Sequence, residues 1–502
     1  MQQKIHTSKY ISLRPFKSLM MEIFLFFKHE VAAAAIGLLP WWNFLVGFAL
    51  SGLLLVLIYR TPTGSRHECY LVDFACYKPP PERQVNTELS VYFQAKQEPL
   101  DLESLDFQWK IYLRSGLGEE TSVCGSFFKE GRPEPSLEEA REEMEESFGA
   151  VLDDLFAKTN VKAAEIDILI ANVSTFSPTP SLVAWVVNRY KMREDVKSFN
   201  LSGMGCSANQ IAAQMGRDIL KTHPNSYVLV VGSESLTHGL YEGTDKSFML
   251  GRCLFRVGGY AILLSNKPGD RRRAKMRLVH TVRTNIAAND EAYTCVMTKE
   301  DEQGFFGIGL HPALLTVATN AVKTNLSALG PKVLPIREML YYAFVNFFCI
   351  GFLKMKREPY VPNFRLAFQH FCIHPGGRAV ISGIGKNLRL SEYDLEASRM
   401  ALFRFGNTST SGLWYEVAYL EAKRRLKVGD RVLQISLGSG FKCNTAVWEV
   451  LRDTYPSEST LWDDCIHRFP CSTRKDFSDD YCRKLLQHLP SYDTIGTVKS
   501  AL

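Results

Sequence analysis

Apolar residues recur along this chain in distinct rhythms, and each rhythm predicts a different kind of element. Residues 31–59 carry no charge at all, a run longer than the roughly 20 apolar residues that cross a bilayer once. Further on the rhythm becomes helical. Ser136-Leu137-Glu138-Glu139 reads as a capping box opening a helix with Leu137, Ala140, Met144, Phe148, Val151, Leu152 and Leu155 on its apolar side. Ile211, Met215 and Ile219 repeat at helical spacing as well. Between these helices, residues 166–171 and 227–231 are short, nearly unbroken apolar runs, the signature of strands covered on both faces. Strands alternating with helices argue for an α/β architecture.

The first 60 residues have their own logic. Residues 1–17 are basic, through Lys4, Lys9, Arg14 and Lys17, and contain no acid. Residues 20–27 are apolar before Lys28-His29-Glu30 interrupts. A signal peptide fits poorly, because the apolar region is too long and no small-residue cleavage site follows. One tilted span or a hairpin of two both fit, the hairpin turning near Pro40-Trp41-Trp42-Asn43. Arg60 and Arg66 make the far flank basic too, which favours the hairpin with both ends and the bulk of the chain in the cytosol. Residues 1–60 are therefore expected to be a membrane anchor.

A second uncharged run, residues 339–353, is followed by Lys354, Lys356 and Arg357. At ~1.5 Å per residue it is too short for a ~30 Å hydrocarbon core. A core helix is the default reading; a surface element dipping into a membrane, or lining the route of a greasy substrate, are the alternatives. The tail from about residue 455 is polar and turn-rich, with no evident core.

Composition narrows the class. With 502 residues, 46% hydrophobic, the chain has room for a large core or two fused halves. A net charge of +6 is too dispersed to argue for nucleic acid. Twelve cysteines show no regular framework and read as free thiols in a reducing compartment.

One cysteine stands apart. In Leu201-Ser202-Gly203-Met204-Gly205-Cys206-Ser207-Ala208 a glycine-rich turn delivers Cys206 to a helix start. Converging N–H groups and the helix dipole there are expected to favour thiolate over thiol. A buried structural cysteine is the competing reading. Gln369-His370-Phe371-Cys372-Ile373-His374-Pro375-Gly376-Gly377-Arg378 places two histidines four apart. A metal pair on a helix would need an intervening Glu and a third ligand, and neither is evident. Cys465, His467, Cys471 and Cys482 match no tight zinc spacing. The alternative is that His374 ends a strand and faces Cys206, since a Cys–His pair is the usual way to make a nucleophilic thiolate. Gly406-Asn407-Thr408-Ser409-Thr410-Ser411-Gly412 precedes apolar Leu413, Val417, Leu420 and Ala422, so Asn407 lies at a helix entrance, as a third polar group or a simple cap. Gly438-Ser439-Gly440 closes an expected strand over 431–437, and its N–H groups are placed to hold an oxyanion.

Cys206, His374 and Asn407, each in a glycine-containing turn, followed by the 438–440 loop, resemble the thiolase-like condensing enzymes. Within these the chain is most similar to the plant 3-ketoacyl-CoA synthases of fatty acid elongation. The supporting motifs are residues 72–81, 200–208, 253–259, 278–284, 374–378, 406–416 and 438–448, and the similarity runs from about 20 to 470. Two positions depart from the family pattern. Asn285 stands where the family usually has His, and Pro375 where it usually has Ala.

The resemblance implies an α/β fold of thiolase-like αβαβα layering: two similar halves, residues 61–280 with the nucleophile and 281–455 with His and Asn, then a polar tail at 456–502. It implies that Cys206 takes a long-chain acyl group from acyl-CoA. His374 and Asn407 would stabilise the enolate formed as malonyl-CoA loses CO2, and Gly438, Ser439 and Gly440 would hold the oxyanion. The product would be a 3-oxoacyl-CoA two carbons longer. His280, Asn285 and His370 are candidates for supporting roles. No metal or other cofactor is expected. Expected partners are membrane lipid, a second copy in a homodimer, and the elongase reductase and dehydratase. The endoplasmic reticulum membrane with a cytosolic catalytic part is implied; the sequons Asn200-Leu201-Ser202 and Asn407-Thr408-Ser409 lie inside the expected site, where lumenal exposure would allow modification. A type III polyketide synthase-like enzyme and a catalytically inactive membrane scaffold of the elongase are the rival readings.

Overall fold

The computed structural model describes residues 68–97, 102–129, 136–453 and 461–473. The expected anchor at 1–60 lies outside them, and among the described residues no helix is long and apolar enough to cross a membrane. The chain divides into two compact units; Pro335–Tyr360 belongs to one, and the rest of the described residues to the other.

In the larger unit the main sheet has nine strands among the described residues. In chain order they are β1 (Tyr70–Cys76), β2 (Ile168–Asn172), β3 (Lys197–Leu201), β4 (Tyr227–Ser233), β5 (Gly259–Ser265), β6 (Met276–Asn285), β7 (His370–Ile373), β8 (Arg431–Gly438) and β9 (Lys442–Val450). Across the sheet they run β7-β8-β9-β6-β1-β5-β4-β2-β3. The pairing repeats itself. β2 is parallel to β4, then β4/β5 and β5/β1 are antiparallel; β7 is parallel to β8, then β8/β9 and β9/β6 are antiparallel. The two sets join through Tyr70–Arg277 and Leu71–Met276.

The unbroken apolar runs have the expected cause. Ile168, Ile170, Val228 and Val230 point to one face of the sheet and Leu169, Ala171, Leu229 and Val231 to the other, and each set joins a separate apolar core. The helices used below are α1 (Leu137–Thr159), α2 (Leu182–Tyr190), α3 (Ala208–Leu220), α4 (Lys246–Leu254), α5 (Leu314–Val333), α6 (Ile336–Ala343), α7 (Glu392–Phe405) and α8 (Gly412–Ala422). α1 covers β1, β4 and β5, while α5 covers β6 and β9. α3 lies between, touching β2, β4 and β5 of one set and β6 and β9 of the other. A buried hydrogen bond from Gln210 to Gln434 (2.7 Å), with Trp448 Nε1 donating to the same Gln434 oxygen (2.7 Å), locks α3 to β8.

α1 starts where its sequence predicts, with Ser136 Oγ accepting from Glu139 N (3.1 Å). Met144, Phe148 and Leu152 on its inner face are fully buried, each contributing about 1.5–3 kcal/mol by removal from water. Leu137, expected on that face, is 60% exposed, because the first turn overhangs the edge of the core.

The tail needs a correction. Trp462 and Cys465 are fully buried and Phe469 nearly so, inside the core formed by α7, α8 and the sheet. Trp462 Nε1 donates to Tyr415 O (3.2 Å) and its ring meets Phe405, Tyr419 and Phe469 edge-on. Three side chains spaced through polar text make no periodic signal, yet they close this core. Cys482 and the rest of the tail lie outside the described residues.

The described part of the other unit, Pro335–Tyr360, is a helix and its return. α6 continues through wider helical turns over Phe344–Phe352, and Tyr360 clasps the return to Asn346 by two hydrogen bonds of 2.8 and 2.9 Å.

Candidate active site

Three chain segments converge on Cys206. The first is its own turn, Gly205–Ser207, leading from β3 into α3. Gly205 has φ +65°, and a Cβ there would stand 2.5 Å from Ser439 N. From the other side, a Cβ on Gly438 would lie 2.4 Å from Ser207 Oγ and 2.8 Å from Met204 O. Only glycine at both positions lets the Cys206 turn and the 438–440 loop touch backbone to backbone. Lys442 Nζ donates to Ser439 O (2.7 Å), tethering that loop.

The second segment carries Asn407. Its backbone is clamped between Leu254 O (3.2 Å) and Arg256 N (2.9 Å), so α4 fixes its height. Its Oδ1 accepts from Ser409 N (3.0 Å), which caps the turn Ser409–Ser411 ahead of α8. With the oxygen engaged, the side-chain NH2 is left to donate. Thr410 Oγ1 donates to Asn172 Oδ1 (2.8 Å), binding this turn to β2.

The third carries His374, the residue following β7, whose N–H donates to Ile435 O of β8 (2.9 Å). Gly376 N donates back to His374 O (2.8 Å), a tight turn centred on Pro375. Proline's fixed φ suits the centre of such a turn, and its ring packs on Gly412 at the start of α8. The departure from the family pattern is thus accommodated by the turn that presents His374. His374 is buried, and its Nδ1 has no hydrogen-bond partner among the described residues. No hydrogen bond joins His374 to Cys206 among those residues.

Sequence reasoning missed the group nearest the sulfur. Ser409 Oγ lies 3.2 Å from Cys206 Sγ and 3.3 Å from Glu234 Oε1. Glu234, one residue past β4, is buried and accepts from the backbone N–H groups of Ser174 (2.9 Å) and Thr175 (3.3 Å). Burial raises its pKa against those hydrogen bonds, which lower it. The findable signal was its place at the carboxyl end of a strand, where α/β folds collect sites.

The expected thiolate is not what the surroundings favour. Burial, opposed by the Ser409 hydrogen bond and reinforced by the Glu234 charge, pushes the Cys206 thiol up to about 12, and among the described residues no cation stands against the sulfur to offset it. Burial alone drops His374 to about 4, so its imidazole is neutral at physiological pH. The resting site pairs a thiol with a neutral base.

A cavity of about 390 Å³ opens on Cys206, Glu234, Ser409, Ser439 and Gly440, within the size range of small-ligand sites. Its walls are mostly apolar, with Phe127, Leu240, Phe248, Phe255 and Met297 among them, and Arg252 and Lys442 as the only basic residues lining it among the described residues. His374 and Asn407 are not among its lining residues.

The remaining candidates are elsewhere. His370 begins β7 and pairs through Nε2 with Asp430 (2.9 Å); four residues along a strand separate it from His374 by ~13 Å. The pair is therefore not on one helix face, and the metal reading fails on geometry. His280 sits within β6 opposite Val447 and is away from the cavity. Burial and the charges of Lys332, Arg431 and Arg217 lower its pKa to about 4. Asn285 is exposed at the end of β6, where its Oδ1 accepts from Ala287 N (3.0 Å) beside Lys442. It does not line the cavity, although its strand partner Lys442 and Ala287 do.

Comparison with known proteins agrees with this geometry. The family described as FAE1/Type III polyketide synthase-like protein matches residues 62–350, and that of the chalcone and stilbene synthase C-terminal domain matches 363–451. The chain is 49% identical over 401 residues to 3-ketoacyl-CoA synthase 4 of Arabidopsis thaliana, covering 80% of this chain and 77% of that protein. It is 46% identical over 433 residues to 3-ketoacyl-CoA synthase 11 of the same plant, covering 86% and 85%. Among solved structures, a fungal type III polyketide synthase superposes with TM-score 0.60 at 17% identity, covering 76% of this chain and 99% of that one. The tetrahydroxynaphthalene synthase of Streptomyces coelicolor gives 0.58 at 15%, covering 76% and 99%. At that identity the solved structures share the fold alone. The chain belongs to the 3-ketoacyl-CoA synthase family, on a thiolase-like α/β fold.

Proposed function

We propose that Cys206 is the acyl-carrying nucleophile of a 3-ketoacyl-CoA synthase that extends long-chain acyl-CoA by two carbons from malonyl-CoA. As a member of its family the chain is a condensing acyltransferase. The observation that carries the site assignment is Cys206 on the wall of a largely apolar cavity, with the 438–440 loop on one side and Ser409 on the other.

In the first half-reaction the thiol sulfur attacks the acyl-CoA carbonyl as neutral His374 accepts its proton. The proton then passes to the departing CoA sulfur. A base with a pKa of about 4 and a thiol at about 12 make this transfer uphill until the sulfur begins to bond to carbon, so deprotonation and attack proceed together. The oxyanion formed is placed for the N–H groups of Cys206 and the 438–440 loop. In the second half malonyl-CoA loses CO2, and the enolate oxygen accepts from the Asn407 NH2 and from His374. The enolate carbon attacks the Cys206 thioester, the tetrahedral adduct expels the cysteine sulfur, which takes a proton from solvent to restore the thiol, and 3-oxoacyl-CoA leaves. Loss of CO2 supplies the driving force, so the scheme calls on no metal or redox cofactor.

Attachment to the endoplasmic reticulum membrane through residues 1–60, a cytosolic catalytic body, a homodimer, and hand-over to a reductase and a dehydratase complete the proposal. The test is to incubate membranes carrying the protein with radiolabelled long-chain acyl-CoA, then malonyl-CoA, beside Cys206→Ala. Label trapped on the wild type alone and released as a 3-oxo product two carbons longer is expected. Absence of label across a wide range of acyl lengths, with the protein folded and in membranes, would leave the inactive-scaffold reading.

A further inference from the structure

The segment Pro335–Tyr360 has no part in the condensation chemistry, and its surface is unusual. Arg337, Leu340, Tyr341 and Phe344 are spaced i, i+3, i+4 and i+7, so they share one helix face, and all four are exposed. Leu340, Tyr341 and Phe344 are 38%, 45% and 48% accessible, and past the last helical turn Leu353 and Met355 are 50% and 48%. Exposed Lys354, Lys356 and Arg357 alternate with or follow them. The acid of the helix is turned away: Glu338 is buried and accepts from the Tyr360 hydroxyl (2.6 Å). Tyr360 is held in turn by Asn346 and by edge-on contact with Tyr341 at 4.7 Å. The exposed residues of the segment thus include three large apolar groups on one helix face, two more beside the cations that follow it, and Glu358 as the one exposed acid.

We propose that this segment lies on an anionic lipid surface, with its apolar side chains among the acyl chains and its cations at the headgroups. A contiguous exposed apolar patch marks a contact surface, and an apolar strip flanked by Lys and Arg is the pattern of an interfacial helix. Lys354, Lys356 and Arg357 have stems long enough to keep their charge at the headgroups while neighbours sink. Tyr341 is amphipathic in the same sense. A second copy is a poor occupant, because a two-fold contact would set this cationic patch against itself.

The test uses the full chain in lipid nanodiscs of phosphatidylcholine, with or without phosphatidylinositol, doped with a phospholipid bearing a photoreactive group in its acyl chain. Labelled peptides are mapped by mass spectrometry. Label is expected on the peptide covering 338–355 when phosphatidylinositol is present. It should fall several-fold without it, since each basic side chain at an anionic surface contributes about fivefold in affinity. A Leu340→Glu/Phe344→Glu/Leu353→Glu variant should lose that label while Cys206 still acylates, which checks the fold. A Lys354→Gln/Lys356→Gln/Arg357→Gln variant leaves apolar packing untouched and should lose only the dependence on phosphatidylinositol. No label on this peptide in anionic discs overturns the proposal, as do photo-crosslinks to a second copy or to another part of the chain in place of lipid. Equal label with and without phosphatidylinositol overturns its electrostatic half.

Discussion

Replacing Ser409 by glycine separates chemistry from architecture at this site. Ser409 occupies φ +52°, a left-handed conformation that costs a non-glycine residue roughly 1–2 kcal/mol. Its hydroxyl is the only group hydrogen-bonded to Cys206 Sγ among the described residues, at 3.2 Å, and Glu234 Oε1 is 3.3 Å away. One hydroxyl proton cannot serve both acceptors. An ionised Glu234 competes with the sulfur for it; burial raises the Glu234 pKa, and protonation of the carboxyl would release the hydroxyl to the sulfur through this relay. Ser409→Gly keeps the backbone N–H that Asn407 Oδ1 receives and loses only this relay. Relief of strain offsets the lost hydrogen bond and glycine's extra freedom in the unfolded chain, about 0.5–1 kcal/mol, so stability should move by no more than about 1 kcal/mol. The developing thiolate loses a hydrogen bond to a charged group, about 1.5–3 kcal/mol, or roughly tenfold to a hundredfold in rate. Quenched single-turnover acylation by labelled acyl-CoA, beside thermal unfolding of the same sample, reads both quantities. Wild-type acylation in Ser409→Gly would refute the assignment of Ser409 to the sulfur, and a collapse of stability would show that the hydroxyl is structural.

The other expectations are simpler to read. Iodoacetamide labelling of Cys206 in the substrate-free protein should keep rising beyond pH 9, because its thiol is pushed up to about 12; a plateau near neutrality would reveal a thiolate–imidazolium pair. Gly205→Ala should lower acylation steeply but measurably with the fold retained, since its Cβ would enter the space of Ser439 N at 2.5 Å; wild-type acylation would mean the loop is not needed where it stands. Pro375→Ala should leave turnover within about twofold and lower stability by about 0.4–1 kcal/mol through the unfolded chain, and a large gain in rate would mean that Pro375 misaims His374. Stability should fall on acidification. His374 has a folded pKa of about 4 against ~6.5 unfolded, so the unfolded chain binds the proton first. That contribution, roughly 3 kcal/mol, is complete above pH ~6.5 and lost as pH falls towards 4; His374→Gln should flatten this part of a denaturation-versus-pH curve.

What could be read from the sequence, and what could not, divides along a physical line. β2 and β4 were legible because strands covered on both faces must be apolar at every position, and α1 because its cap and its buried stripe are written in neighbouring residues. Cys206, His374 and Asn407 were legible as places, since each sits where a strand or a turn ends and glycine spacing marks the end. Their chemical states were not. Cys206 was expected to ionise from local features, the turn and the helix start, but its thiol answers to a carboxyl delivered by β4 and a hydroxyl delivered by the loop before α8. His370 was legible as a polar residue near His374 and illegible as the partner of Asp430, because the strand that opposes it is a long way off in sequence. Trp462 failed for the same reason in reverse. Its surroundings are polar in sequence and apolar in space.

The same division explains why Gly205 and Gly438 matter more than their own positions suggest. Each limits the other, since a Cβ on Gly205 would fall on Ser439 N and one on Gly438 on Ser207 Oγ and Met204 O. Two chain segments from different halves of the sheet thus meet at close range, with only the small Ser207 and Ser439 side chains beside the contact, one bringing the nucleophile and the other the N–H groups proposed for the oxyanion. A substitution at one glycine should therefore behave like a substitution at both: Gly438→Ala alone should cost acylation about as much as Gly205→Ala, and the double variant little more than either. Additive losses would mean that the two turns act separately, and that the contact between them is packing rather than part of the site.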